Sequence, residues 1–206
     1  PFESSPLSRA LYRGCRFEGV TTLGEQIDAT IEMARTPGRL VFTYLASVDF
    51  AAHVHGQVGE AYDDAIAAAD TLWSTLATRL PAHVGLVGTA DHGHVDFPVE
   101  RRFRIPNEDH DDRTFYGDGR AMFVRGDGAA LAASLPATWV PFEEAAEWWG
   151  PGPLHAAFEA RRPDGILLAD QGDLLLHRYS DRRLIGNHGG LTPEERRVPL
   201  LVPAAG

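Results

Sequence analysis

Two aspartates and three histidines of this chain stand in settings that suit metal ligands: Asp49-Phe50-Ala51-Ala52-His53, Asp91-His92-Gly93 and Asn187-His188-Gly189-Gly190. Carboxylate oxygens and imidazole nitrogens are ligand types that a pair of zinc ions takes. Asp49 and His53 are four apart, so one helical turn puts both on the same face. Asp91 and His92 are adjacent, and on extended backbone they point opposite ways. A turn at Gly93, or a bridging arrangement, is needed for both to serve one ion. His188 precedes two glycines that let the chain pass close to a ligand. Taken singly, these fragments are as readily a capping Asp, a surface His and an ordinary turn. Together they point to metal-dependent phosphoryl chemistry.

The elements that must position these residues follow an α/β pattern. Residues 40–46 (Leu-Val-Phe-Thr-Tyr-Leu-Ala) are apolar on both faces, as a central strand of a parallel sheet requires. Residues 84–89 form a second such run. Between them, over 58–80, Tyr62, Ile66, Ala69, Trp73, Leu76 and Leu80 recur at helical spacing, and Pro81 stops the pattern. Strand, helix, strand predicts a right-handed crossover unit. Asp49 and Asp91 then follow the carboxyl ends of the strands, where ligands gather in open α/β sheets. Upstream, a helix is predicted over Thr22 to Arg35, with Ile27, Ile31 and Ala34 inward and Thr22 capping toward Glu25. Residues 96–118 are polar and predict a long loop or lid. Further strands are expected at 121–124, 165–169, 174–177 and 198–202, and short helices at 129–135 and 142–149. The expected fold is one α/β domain over 1–206, a mostly parallel central sheet flanked by helices.

The 206 residues suffice for a sizeable core, and 44% apolar with 23% charged content indicates a globular chain. A net charge of −10 argues against sequence-independent nucleic-acid binding. It leaves room for a small phosphorylated substrate, because bound cations invert the local field. No apolar run approaches the ~20 residues of a membrane span. Cys15 is the single cysteine, so no internal disulfide forms. All 19 basic side chains are Arg, which with abundant Ala, Gly and Pro suggests a GC-rich bacterial genome. The start, Pro1-Phe2-Glu3-Ser4-Ser5-Pro6, has no signal-peptide pattern, which favours the cytoplasm. It has no initiator Met either, so an upstream segment is expected.

Asp49-x-x-x-His53 with His55-Gly56 following, Asp70 in the next helix, Thr89-Ala90-Asp91-His92-Gly93, and His188-Gly189-Gly190-Leu191-Thr192-Pro193-Glu194-Glu195 ahead of Val198-Pro199-Leu200-Leu201 together resemble the alkaline phosphatase superfamily. The closest branch is the bacterial form of the type I phosphodiesterase/nucleotide pyrophosphatase family. The resemblance runs over about residues 38–203 and implies an alkaline-phosphatase-like domain whose amino-terminal part is missing. It implies two divalent ions, zinc first and manganese as the alternative. Asp49, His53 and His188 would hold one ion, and Asp91 and His92 the other. In the family the second ion also takes an Asp and a nucleophilic Thr or Ser, on a segment expected ahead of Pro1, so no catalytic nucleophile is expected here. The implied reaction is phosphodiester hydrolysis through a covalent phospho-Thr or phospho-Ser, on a small substrate such as a nucleotide. The alternatives are a catalytically incomplete metal-binding fragment, or a phosphomonoesterase or phosphomutase. A sulfatase is disfavoured by the surroundings of Cys15.

Other polar residues have plainer readings. His94 and His55 are expected at the surface or behind the ligands, and His83, His155 and His177 in structural roles. The stretch Glu108-Asp109-His110-Asp111-Asp112 is expected to be a solvated acidic loop. Arg101, Arg102 and Arg104 are candidates for meeting a substrate phosphate, and Trp148-Trp149 for core.

Overall fold

The computed structural model describes residues 5–203. It is a mixed α/β structure whose contacts gather into two compact units. Among the described residues, the first holds 5–48, Asp64–Gly88 and 200–203. The second holds Asp49–Asp63 and Thr89–Pro199. No helix among the described residues is long and apolar enough to cross a membrane.

In the first unit, the helix Leu23–Ala34 starts where the sequence predicts. The Thr22 hydroxyl accepts from the Glu25 amide and the Glu25 carboxylate accepts from the Thr22 amide, which satisfies two otherwise orphaned donors. Its Ile27 and Ile31 pack with Leu72 and Leu76 of the helix Glu60–Arg79, and with Leu45 and Leu86. That second helix buries Ala65, Leu72 and Leu76. The predicted stripe is therefore rotated: Tyr62 and Trp73 are half-buried and Ile66 is exposed. The helix turns Leu72 and Leu76 toward Ile27 and Ile31, and the Trp73 ring lies against Gly88 instead.

The predicted parallel pairing of 40–46 with 84–90 is corrected. Among the described residues 39–46 form no strand ladder, and only Gly88–Thr89 of the later run is strand. Residues 43–45 are held by the first helix. Gln26 Nε2 donates to the Tyr44 carbonyl at 2.9 Å, and the Thr30 and Thr43 hydroxyls lie 3.0 Å apart. Thr43 and Leu45 thus face the helix, which leaves Leu40 and Phe42 exposed at 96% and 68%.

The second unit is built on a four-stranded antiparallel sheet in the order Thr114–Gly117, Ala121–Arg125, Gly165–Ala169, Ala137–Pro141. Two of these strands were predicted. The pair Leu174–Leu176 and Arg102–Arg104 runs parallel. Met122, Val124 and Leu167 of the sheet close over Ile105, Leu131 and Leu175 in one cluster. The predicted 96–118 loop is therefore part of the folded body: Phe97 and Ile105 are buried, and Phe103 and Phe115 pack on the core. Four spaced apolar residues among Arg and Asp anchor it. Predicted 142–149 helix is only a 3-10 turn at Ala146–Trp149. Gly128 and Gly165 make room for the Trp139 ring, which a Cβ at either position would meet at 2.1 and 2.4 Å.

Candidate metal centre

The helix Ser47–His55 carries Asp49 and His53 on one face, with Asp49 Oδ1 3.4 Å from His53 Nε2. Gly56, at φ 79°, ends this helix in a conformation that glycine adopts without strain. Its end is tied down by the Gln57 amide donating to Asp96 Oδ2 at 2.8 Å and by the Ile185 amide donating to the His53 carbonyl at 2.6 Å. The short antiparallel pair Val95–Asp96 and Gly186–Asn187 sets Val95 opposite Asn187. His94 and His188 therefore come out of that pair opposite each other, with ring centroids 5.3 Å apart.

Four of the five expected residues converge, and His94 joins them. Asp49 Oδ1 lies 3.4 Å from His53 Nε2, 3.7 Å from His94 Nδ1, and 4.0 Å from both His92 Nε2 and His188 Nε2. Asp49 Oδ1 is buried and makes no hydrogen bond. None of the four nitrogens is close enough for a good hydrogen bond. All stand at about the 3–4 Å separation that ligand atoms keep around one ion with bonds of ~2 Å. Two trios have ligand atoms within 4.8 Å of one another: Asp49, His53 and His188, and Asp49, His92 and His94. Asp91 stays outside both, with Oδ1 3.7 Å from His92 Nε2 and a side chain that is 67% exposed.

Backbone carbonyls orient two of the rings. His53 Nδ1 is 2.8 Å from the Gly186 carbonyl, and His92 Nδ1 is 3.0 Å from that of Gly93. A ring that donates from Nδ1 leaves Nε2 unprotonated and free to ligate. Gly186 permits the approach, since a Cβ there would meet the Ala52 carbonyl at 2.5 Å and His94 Cδ2 at 2.6 Å. Burial, reinforced by His53 and His188, pushes His94 down to about 4. Burial, and then His92, lowers His188. Both effects favour neutral imidazole, the form that binds metal. The His92 and His188 rings stack at 3.5 Å. The donor set therefore fits a divalent cation that takes nitrogen and oxygen ligands.

Sequence reasoning set His94 aside, because its partner across the strand pair is 94 residues away and no local spacing reveals it. The expected structural role of His177 agrees with its side chain: Nδ1 accepts from the Tyr179 amide at 3.0 Å. The loop arginines are bound within the fold. Arg101 pairs with Asp173 at 2.7 Å, Arg102 donates to the Phe97 carbonyl, and Arg104 to Asn107.

Solved structures share this fold. A murine ectonucleotide pyrophosphatase/phosphodiesterase 5 matches with a TM-score of 0.66 and 22% identity, over 90% of this chain and 53% of that one. An inactive variant of the murine protein, in complex with AMP, matches equally well. A phosphonoacetate hydrolase from Sinorhizobium meliloti 1021, in complex with phosphonoacetate, matches with a TM-score of 0.59 and 17% identity, over 95% of this chain and 54% of that one. The chain thus spans about half the length of these structures. No curated protein sequence matches it. The fold is that of the alkaline phosphatase superfamily. Residues 10–190 match the type I phosphodiesterase/nucleotide pyrophosphatase model, and the chain belongs to that family.

Proposed function

We propose that this chain supplies the metal-binding part of a phosphodiesterase or nucleotide pyrophosphatase of its family, acting on a small phosphorylated substrate such as a nucleotide. The observation that carries the reading is the buried, unbonded Asp49 Oδ1 ringed by four imidazole nitrogens at 3.4–4.0 Å. A buried carboxylate oxygen without a partner is costly, and cations bound between that oxygen and the nitrogens would remove that cost. Asp49, His53 and His188 hold one ion. His92 would hold the second, with Asp91, whose exposed carboxylate is 3.7 Å from it, and with His94 and the shared Asp49 Oδ1. Zinc is favoured by the nitrogen-rich set, with manganese as the alternative. Bound divalent ions would neutralise phosphate charge and acidify an attacking hydroxyl. The protein's own residues orient His53 and His92 through the Gly186 and Gly93 carbonyls, and burial favours the neutral form of His94 and His188.

The nucleophile of this proposal is a Thr or Ser on a segment ahead of residue 1, and the chain is one partial domain. Its half-length coverage of the structural neighbours also supports a second reading, a metal-binding half-domain without chemistry of its own.

Zinc titration of residues 1–206 followed by calorimetry, with metal content by mass spectrometry, tests the site. Diester and monoester assays on the chain, alone and with its upstream sequence, test the reaction. Zinc binding lost in His53→Ala, with diester turnover only in the longer protein, is expected. Monoester turnover alone would remove the phosphodiesterase assignment. An inert longer protein that binds zinc would leave the half-domain reading.

A further inference from the structure

Glu195 and Arg120 are among the most completely buried charged residues described, with side chains 0% and 2% exposed. They form a bidentate pair, Arg120 Nε to Glu195 Oε1 at 2.9 Å and Arg120 Nη2 to Oε2 at 3.0 Å. Arg120 Nη1 donates to backbone carbonyls of Ala169, Asp170 and Asp173, at the end of the strand Gly165–Ala169 and the turn that follows it. The guanidinium also lies over the Phe97 ring. Arg120 is thereby fixed to the body of the sheet.

Glu195 extends that anchor in two directions. Its Oε1 accepts from the Gly190 amide at 2.8 Å, two residues beyond His188. Its Oε2 accepts from the Thr192 hydroxyl at 3.0 Å. Its backbone carbonyl accepts from the Gly93 amide at 2.8 Å, one residue beyond His92. Both glycines are needed for these approaches. A Cβ on Gly93 would sit 1.8 Å from the Glu194 carbonyl oxygen, and one on Gly190 would sit 2.4 Å from Glu195 Oε2. One residue thus holds the His92 loop by its backbone and the His188 loop by its carboxylate. These are the two histidines whose rings stack at 3.5 Å.

A buried ion pair is weak support for stability, since desolvation cancels most of the attraction. Its geometric value is greater, because a bidentate Arg fork fixes both distance and plane. We propose that Glu195, locked by Arg120, is a positioning residue that sets the spacing of His92 and His188 and so the metal affinity of the centre. This rests on the metal-binding reading above. Neither residue touches the ion or the substrate; both act through the two loops.

The test is zinc affinity by calorimetry, with the visible spectrum of cobalt(II)-substituted protein as a report on ligand geometry. Glu195→Gln keeps the shape and loses the charge. It is expected to weaken zinc binding by about 10–100-fold, as loss of outer-shell partners does, and to alter the cobalt spectrum. Leu167→Ala, a cavity in the sheet core away from both loops, is expected to lower stability while leaving zinc affinity and the cobalt spectrum unchanged. Should Glu195→Gln fail to fold, Gly190→Ala replaces it, because its methyl pushes directly on the carboxylate. Wild-type chain that binds no zinc would refute the metal reading underneath. Wild-type binding with the folded loop variant within two-fold of it would overturn the positioning role, and so would an equal loss in Leu167→Ala.

Discussion

Asp49→Asn separates the cost of the site from its use. In the metal-free protein Asp49 Oδ1 is buried, unbonded, and 3.4–4.0 Å from four nitrogens. A buried acceptor left without a partner costs about 1–3 kcal/mol. The side chain as a whole is 37% exposed, which reduces this, so a gain of about 1 kcal/mol is expected from the neutral amide. For a domain of this size that raises the melting temperature by about 2–4 °C in EDTA. Zinc acts in the opposite sense. At a free concentration 100 times the dissociation constant it stabilises the wild type by about 2.7 kcal/mol, or about 5–11 °C. The variant loses the one carboxylate common to both trios, so its zinc shift should fall below about 2 °C. Differential scanning calorimetry of both proteins, with EDTA and with zinc, measures the two effects together. A variant less stable than wild type in EDTA by more than 1 kcal/mol would show that Asp49 is a structural residue. An undiminished zinc shift would show that no ion sits on it.

His94→Leu should lower zinc stoichiometry or affinity at the Asp49, His92 and His94 trio while sparing the trio with His53 and His188; two unchanged binding events in calorimetry would exclude His94 as a ligand. His110 and His177 are both lowered by burial, which comes first for each. They are held neutral in the fold and charge more readily when unfolded. Their contribution is therefore fully present above about pH 6.5 and is lost as pH falls toward their folded values. Urea midpoints of the metal-free protein should drop between pH 7 and 5, and His110→Phe, which keeps the ring beside Phe115, should flatten that drop; a midpoint insensitive to pH would contradict the assignment. Gly165→Ala puts a methyl 2.4 Å from the Trp139 ring and should cost about 1–3 kcal/mol by chemical denaturation; a neutral result would mean that Trp139 moves freely.

Local sequence determined much of the candidate site. The four-residue step from Asp49 to His53 is a helical step, so once the helix forms both face one way. The Thr22–Glu25 capping box and the strands at 121–125 and 165–169 follow from neighbouring residues for the same reason: their hydrogen bonds or their burial pattern close within a short stretch of chain. His92 and His188 were legible as candidate ligands through the glycines beside them and a family resemblance. The rest depends on pairings between distant segments. His94 becomes part of the ring because Val95 pairs with Asn187, and Arg120 finds Glu195 across 75 residues. Which face the helix Glu60–Arg79 buries was settled by Ile27 and Ile31, not by its own largest side chains. The run at 40–46 has the composition of a central strand, but a strand also needs a ladder, and the donors that hold residues 43–44 come from a helix. Residue type sets which chemistry a side chain can do; backbone pairing across the fold sets which side chains share one oxygen of Asp49.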